Sequence, residues 1–516
     1  MLRRVFALGA VALGMAAGAC GLFANIPDSV TIAEAGATKQ TLCDGPIRIR
    51  ALNATDSLTV ADVALPVYLG ALDYLREINE TGGVRGCMLE WEFKQVDFGD
   101  PTSAVAAYEA YRAEPVWNDV VAFFGISSAD TLALGPRVQE DKKVLFSMAY
   151  NGTVAAPVAK TTRLDVPSTS ATFVETTQPT QVDTVGYPYV FFPGTDYSTA
   201  MRIAMYYVAT IEAGARVGFV GCRSNEFCIN PLNAGKTYAK NDEGLLVGRP
   251  LYAELTDRAD AYAAAVTAYF AAEGAEMAVP GYKPVSWLWA GNLTAGTFFL
   301  AATIGHASQL VTAPAGIDQA AWNNARTLMA NVRIIANNYG FDESLPNLCA
   351  SLGVGAAVCS KIYGIMPFLS FGDKSTGSAD MPALVALHDK WRARDANVVY
   401  IDPGTLAEAG VPAPTTRSVR YVQGHMNVEL LKAAIEKVAD SGQRVTGETL
   451  KNALETFRSY DTGGLTAPLS FTATDHRPQS SLSVYQIVPP GLGDAGYLAN
   501  VGPNQRIPLK DEWLGY

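Results

Sequence analysis

Seven cysteines are the residues of this chain whose number and spacing point most directly to chemistry. Apart from Cys20, six remain, and an even set is typical of disulfide bonds in an oxidising compartment. Four of them form two pairs of near neighbours, and the other two each precede an apparent strand. If those strands are adjacent and parallel, their starts lie about 4.8 Å apart, within the range that a disulfide tolerates. The sequence therefore predicts the pairs Cys43–Cys87, Cys222–Cys228 and Cys349–Cys359, the alternative being that some are free buried thiols.

Signals for catalysis and for metal binding are weak. The segment from Asn230 to Thr237 is one residue short of a phosphate-binding loop, because asparagine stands where the first glycine is required. The chain has neither a GxSxG nucleophile elbow nor an HExxH zinc pair, and its four histidines are scattered. No cysteines have the spacing of a zinc site. We therefore expect no enzymatic activity, no metal and no cofactor.

The N-terminal residues resemble an export signal. Two arginines, an apolar stretch and three small residues precede Cys20, an order that predicts a secretory signal peptide over residues 1–19. Cys20 itself resembles the cysteine of a bacterial lipoprotein cleavage box, although Ala17 stands where leucine is customary, and ordinary cleavage before Cys20 also fits. We expect a periplasmic or extracytoplasmic protein that contacts the membrane only through a lipid anchor at Cys20, if one is attached.

The composition restricts the class of protein. The 516 residues exceed the roughly 150 of one domain, so two lobes or more are expected. Apolar residues make up 49% and charged residues 17%, which indicates a folded rather than a disordered chain. The net charge is −11 and no run of lysine or arginine occurs, which argues against nucleic acid as a partner.

Short apolar runs alternate with amphipathic stretches along the chain. Residues 47–52, 88–96, 120–124 and 144–146 have the pattern of strands, and helical patterns separate them. This alternation predicts right-handed crossovers and a parallel sheet covered on both faces, hence an α/β protein. A second unit of the same kind follows residue 200. Residues 153–184 between them have no clear period and predict an inserted arm or hairpin.

Three separated regions resemble bacterial leucine/isoleucine/valine-binding proteins, which are type I periplasmic solute receptors of ATP-driven importers. The regions occur in the family's order. They are the opening, with Asn79-Glu80-Thr81-Gly82-Gly83 and Asp100-Pro101; the loops at residues 125–133 and 144–151; and the tail at residues 421–424 and 463–477. The resemblance implies two Rossmann-like lobes joined by hinge strands, with the ligand in the cleft between them.

The resemblance also implies how the chain is divided. Lobe one would comprise residues 44–190 and 331–460, with the inserted arm at 153–184, and lobe two residues 191–330 and 461–516. The implied partners are a small-molecule ligand and an inner-membrane ABC permease, and the protein would be a monomer.

Positions that match the family's motifs identify candidate ligand-binding residues. In the first lobe, the Ser128 hydroxyl, the Ala149 amide and Asn151, where threonine is usual, would hold a carboxylate. Hydroxyls and the amides at a helix start suit an anion or a polar carbonyl. A helix cap is the alternative for Ser128, and a core position for Tyr150. The implied set is Ser127, Ser128, Ala149, Tyr150, Asn151, Tyr197 and Asn292.

One departure from the family concerns the ligand's charge. Amino-acid binders of this family carry an acidic residue after the strand that corresponds to residues 287–290, where it pairs with the ligand ammonium. Here no aspartate or glutamate occurs between Glu276 and Asp318. A buried ammonium without a carboxylate partner is costly. A small carboxylate, amide, alcohol or aromatic compound is therefore at least as plausible as a branched-chain amino acid.

The resulting expectation is an extracytoplasmic substrate-binding protein of an ABC importer that captures a small polar-headed ligand by closing its lobes. A sensor of the same fold that signals to a membrane partner would share every residue named. A secreted hydrolase is a third alternative, and it alone would change the compound it binds.

Overall fold

The protein is described here by a computed structural model. It describes residues 29–30, 42–55, 61–164, 166–177, 179–221, 226–253, 259–291, 293–351, 356–374, 377–395, 399–402, 407–410, 416–490, 496–510 and 513. The predicted signal peptide, Cys20, Cys222 and Asn292 lie outside these residues. Within the ranges given, no helix is both long enough and apolar enough to cross a bilayer.

The strands form two large sheets and two small two-stranded sheets. In chain order they are β1 (Ser29–Val30), β2 (Ile47–Asn53), β3 (Leu89–Gln95), β4 (Val120–Gly125), β5 (Val144–Ser147), β6 (Ala159–Leu164), β7 (Pro179–Thr184), β8 (Val190–Phe191), β9 (Arg216–Gly221), β10 (Leu246–Tyr252), β11 (Trp287–Ala290), β12 (Arg333–Ala336), β13 (Ile362–Met366), β14 (Val399–Asp402), β15 (Ala407–Gly410), β16 (Ser481–Val488) and β17 (Tyr497–Arg506).

The helices lie mainly between successive strands. In chain order they are α1 (Ala61–Glu80), α2 (Pro101–Arg112), α3 (Ser128–Glu140), α4 (Gly152–Ala155), α5 (Tyr197–Ile211), α6 (Glu226–Asn241), α7 (Ala259–Glu276), α8 (Thr294–Gln309), α9 (Gln319–Asn331), α10 (Leu345–Ser351), α11 (Ala356–Cys359), α12 (Met381–Arg394), α13 (Val419–Asp440) and α14 (Gly447–Leu454).

The first sheet has the strand order β1-β3-β2-β4-β5-β8, and every neighbouring pair except β1 with β3 is parallel. Strands β4 and β5 are buried at every position. Continuous burial of this kind is typical of parallel strands that helices cover on both faces. The expected α/β class is confirmed.

The second sheet has the order β10-β9-β11-β12-β13-β16-β17. The strands from β10 to β13 are parallel, whereas β16 and β17 are antiparallel to their neighbours. Trp287 and Trp289 of β11 are fully buried in the core of this lobe.

The sheet to which β12 and β13 belong corrects the predicted division of the chain. We expected residues from 331 onward to return to lobe one, but β12 pairs with β11, and β13 with β12, in the second sheet. The chain returns only after β13, where α12 and α13 pack on α1. The physical reason is that each right-handed crossover adds the next parallel strand beside the previous one, which extends the sheet already begun.

Two of the predicted cysteine pairs lie at bonding distance in the structure. Cys43 and Cys87 have a Cα–Cα distance of 6.2 Å, and they precede strands β2 and β3, which are parallel neighbours as expected. Cys349 and Cys359 have a Cα–Cα distance of 6.0 Å. Cys228 is disulfide-bonded as well, while its predicted partner Cys222 lies outside the described residues.

A close crossing of two helices positions one wall of the cleft. Gly70 of α1 lies against the backbone of α13 at Tyr421, and Gly424 of α13 lies against the backbone of α1 at Val67. Because neither glycine has a side chain, the two backbones approach more closely than larger residues would allow. This approach places the N-terminal half of α1 at the edge of the cleft.

Candidate functional site

A cavity lies between the two large sheets, beyond the carboxyl ends of their parallel strands. This is where ligands of open α/β sheets bind. The cavity is small in this structure, with a volume of about 40 Å³. The lining is almost wholly apolar: Val63, Val67, Phe98, Gly99, Ile126, Ser127, Ser128, Ala129, Met148, Ala149, Tyr197, Phe227, Leu293 and Tyr339.

The polar end of this cavity is the start of α3. Ser127 caps the helix: its Oγ accepts from the Asp130 amide at 3.1 Å, and its own amide donates to Asp130 Oδ2 at 3.1 Å. The first amides of a helix, here those of Ser128 and Ala129, have no acceptor within the helix. Together with the helix dipole they favour an anionic or carbonyl oxygen at this end.

Ser128 also connects the two lobes. Tyr197 lies at the start of α5 in the second lobe. Burial raises the pKa of Tyr197 well above its usual value, and a hydrogen bond with Ser128 lowers it. Ser128 is itself buried, at 7% exposure. Ser128 and Tyr197 both line the cavity.

The structure separates the predicted first-lobe residues into those that face the cavity and those that do not. Ser127, Ser128 and Ala149 line it. Asn151 does not: it caps α4, its Oδ1 accepting from the Thr153 amide at 3.0 Å. This cap uses the Asn151 oxygen and not its amine, so the donor role expected of Asn151 stays a prediction.

The amide of Ala149 is also engaged within its own loop. It donates to Ser147 Oγ at 3.0 Å, so its hydrogen bond is used within the loop, although Ala149 remains in the cavity wall. The donors left at the polar end are those of the α3 start.

Tyr150 lies behind the wall rather than in it. Its ring is fully buried, 5.2 Å from that of Phe192 and 6.1 Å from that of Tyr197. The core alternative for Tyr150 is therefore what the structure shows. Tyr197 does line the cavity, while Asn292 lies outside the described residues.

Three aromatic residues of the cavity, Phe98, Phe227 and Tyr339, were missed from the sequence. Phe227 at the start of α6 and Tyr339 after β12 make edge-to-face contacts with Tyr197, at ring distances of 5.1 Å and 6.0 Å. Their positions just after strands of the second sheet are the signal that could have identified them.

Tyr339 spans the cleft. Its hydroxyl donates to the carbonyl of Met148 in the first lobe and accepts from Gln423 Nε2. Because this hydrogen bond joins residues of opposite lobes across a small cavity, the cleft is closed in this structure.

Charged groups of both signs, Asp130 and Arg420, lie near the cavity but not in its lining. Among the described residues that line it, none is acidic. Behind the ring of Tyr339, 4.4 Å from its centre, lies the guanidinium of Arg420, which is 2% exposed. It donates to the carbonyls of Asn338 and Phe341, and its Nε has no hydrogen-bond partner in the described part of the chain. A buried cation with neutral acceptors leaves a positive potential that favours an anionic guest.

Asp130 provides a pH-dependent test of this site. Burial raises the pKa of its carboxyl from 3.8 to about 6, against hydrogen bonds from Ser127 that lower it. Lowering the pH through 6 neutralises a charge beside the α3 start, so we expect carboxylate affinity to rise roughly 3- to 10-fold between pH 8 and pH 5.5. Titration calorimetry at both values measures this.

The matched control is Asp130→Asn, which removes the titrating group. An equal rise in this variant would contradict the assignment. The same shift predicts the sign for stability: between about pH 3.8 and pH 6 the folded state holds a proton that the unfolded state has lost, so stability falls as the pH rises through this range and changes no further above it.

Among the described residues, no group of three or more histidine, cysteine, aspartate or glutamate side chains is arranged to hold a metal ion.

Comparison with known proteins agrees with this arrangement. Residues 46–241 match the family model described as "Periplasmic binding protein". No curated protein matches the chain significantly.

Solved structures extend the likeness over most of the chain. A substrate-binding protein of an ABC transporter from Aeropyrum pernix is 21% identical with a TM-score of 0.64, covering 92% of this chain and 99% of its own. A fatty acid ABC transporter substrate-binding protein from Thermomonospora curvata is 18% identical with a TM-score of 0.60, covering 90% and 93%. A branched chain amino acid ABC transporter protein from Thermus thermophilus, with bound valine, is 16% identical with a TM-score of 0.60, covering 89% and 97%.

These matches confirm the resemblance predicted from the three separated regions. The chain has the fold of type I periplasmic binding proteins, with two α/β lobes and a cleft between them.

Proposed function

We propose that this chain, which has the type I periplasmic binding fold, is the extracytoplasmic substrate-binding protein of an ABC importer. It would trap a small ligand between its lobes and deliver it to an inner-membrane permease. The observation that carries the proposal is the cavity at the strand ends, which has neutral donors at one end and residues of both lobes in its wall.

The lining favours a ligand with an apolar or aromatic body and a carboxylate or amide head. The rings of Phe98, Phe227 and Tyr339 and the aliphatic side chains supply the apolar surface. The α3 start and the positive charge of Arg420 favour the head. A free amino acid would bring an ammonium that no lining side chain among the described residues neutralises, and this argues against the valine seen in the Thermus thermophilus structure as the model for this chain.

A thermal-shift screen with matched compounds tests the proposal. Isovalerate, benzoate and hexanoate share an apolar body and a carboxylate; valine adds an ammonium; benzamide removes the charge. A ligand at 100 times its Kd adds about 2.7 kcal/mol to the folded state, which should raise the midpoint by roughly 5 to 11 °C for lobes of this size. We expect carboxylates to exceed valine.

A larger shift with valine or leucine than with the matching carboxylates would contradict the ligand class. Mass spectrometry of the recovered compound completes the test, since a binding protein returns its ligand unchanged whereas a hydrolase does not.

A further inference from the structure

The inserted arm, residues 153–184, begins and ends on the first lobe. Its strands β6 and β7 form an antiparallel hairpin. At the base, the Val185 amide donates to the Thr153 carbonyl at 2.9 Å and the Tyr187 amide to the Val154 carbonyl at 2.8 Å. The following residues enter β8 of the first sheet. Both ends of the hairpin are therefore fixed to lobe one.

The tip of the arm, residues 166–177, lies on the second lobe. Val166 is buried in the hydrophobic core formed by residues of α5, β9 and β10. The Thr169 amide donates to the Val247 carbonyl at 3.0 Å, on the edge strand β10, and Arg216 of β9 donates to the Thr169 carbonyl at 2.8 Å. The tip thus extends the edge of the second sheet.

A buried carboxylate of lobe two holds the tip. Glu276 at the end of α7 accepts from Ser170 Oγ at 2.6 Å, from the Ala171 amide at 2.9 Å and from Thr172 Oγ1 at 2.6 Å, and it pairs with Arg249. Burial opposes its ionisation, but these hydrogen bonds outweigh burial and lower the pKa of Glu276 to about 2. Charge-assisted hydrogen bonds of this kind are the strong ones.

A second ion pair also joins the tip to lobe two, and in this pair the arm supplies the carboxylate and the lobe supplies the cation. Glu175 of the arm accepts from Lys236 Nζ at 2.5 Å and from the Tyr252 hydroxyl at 2.9 Å. Lys236 is 2% exposed. The lysine that resembled part of a phosphate-binding loop in the sequence is thus used as the anchor of the arm.

We propose that the arm is a strap that holds the two lobes together and biases the cleft toward its closed arrangement. Within the described residues the backbone already crosses between the sheets after β8, after β13 and before β16. Hinge crossings permit rotation, but a hairpin fixed at both ends must bend or release its tip before the lobes part. The inference depends on the proposed function in one respect, because the strap would control the closure of the lobes by which the ligand is trapped.

The test measures the lobe-to-lobe distance without any ligand. Ketone-bearing unnatural amino acids at Glu140 of lobe one, 71% exposed, and Val311 of lobe two, 68% exposed, accept spin labels without using thiols. Pulsed dipolar spectroscopy then compares the parent with the double variant Glu175→Gln, Glu276→Gln. Loss of hydrogen bonds to charged groups should raise the open population on the order of tenfold.

The control is Glu212→Gln, which also removes a buried or half-buried carboxylate charge. Glu212 pairs with Arg333, and both residues belong to the second lobe. It should leave the distance distribution as in the parent. A second variant, with residues 167–176 replaced by a glycine-serine linker, covers the case in which the double variant misfolds.

Identical distance distributions in the parent and in both strap variants would overturn the proposal. Because no ligand is present, this result is separate from the thermal-shift screen. If the chain binds none of the screened compounds but opens when the tip is released, the strap proposal stands and only the proposed transport function is contradicted.

Discussion

Replacing Ser128 with alanine is expected to weaken binding of a carboxylate ligand by roughly 10- to 100-fold, the usual effect of losing a hydrogen bond to a charged group in a buried site. The hydroxyl lies at the start of α3 in the cavity wall. It also makes the hydrogen bond with Tyr197 that joins the lobes. Titration calorimetry with the best carboxylate from the screen measures the change.

Asn151→Ala is the matched control for this prediction. It removes the cap of α4 and should cost about 1 kcal/mol of stability, but the side chain does not line the cavity, so Kd should stay as in the parent. An unchanged Kd for Ser128→Ala would place the ligand head elsewhere and remove the basis of the first-lobe assignment.

Gly424→Ala is expected to reduce the free energy of unfolding by about 3 kcal/mol, at the upper end for inserting one methyl into a packed site. A β-carbon at Gly424 would overlap the Val67 carbonyl oxygen of α1, which is backbone and has little room to move. Separation of α1 from α13 would also displace Val63 and Val67 from the cavity wall. Urea unfolding and ligand titration on one sample measure both effects.

Gly45→Ala provides the comparison, because a β-carbon there meets no atom within 4 Å. It should leave both stability and Kd close to the parent values. Equal stability of the two variants would show that the helix crossing is not as tight as the structure has it.

The closed cleft relates these predictions to the strap. Tyr339 holds the lobes together from inside the cavity, through the Met148 carbonyl, while the arm holds them from the outer edge of the second sheet. A ligand needs to supply only the remaining difference between open and closed states, since differential contacts are what shift such an equilibrium. Release of the strap should therefore weaken ligand binding as well as widen the cleft.

Local patterns in the sequence were sufficient to identify the α/β class, whereas the polar end of the site was expected from the family resemblance. Alternation of apolar runs with amphipathic stretches predicts parallel strands and covering helices without knowledge of the fold. The sequence offered Ser128 as a helix cap, but the structure places the cap one residue earlier, at Ser127, which also lies in the cavity wall. These properties depend on residues a few positions apart, and the physics of a helix end is the same in any protein.

Tertiary structure alone decided the remaining features, because they depend on contacts between residues far apart in the chain. The sheet that receives β12 and β13 follows from which edge is free when they pair. The capping role of Asn151 and the place of Tyr339 in the cavity follow from how the loops after the strands turn. Docking of the arm on Glu276 joins residues about a hundred positions apart. No local pattern encodes such a pairing, since its free energy exists only once both lobes have folded.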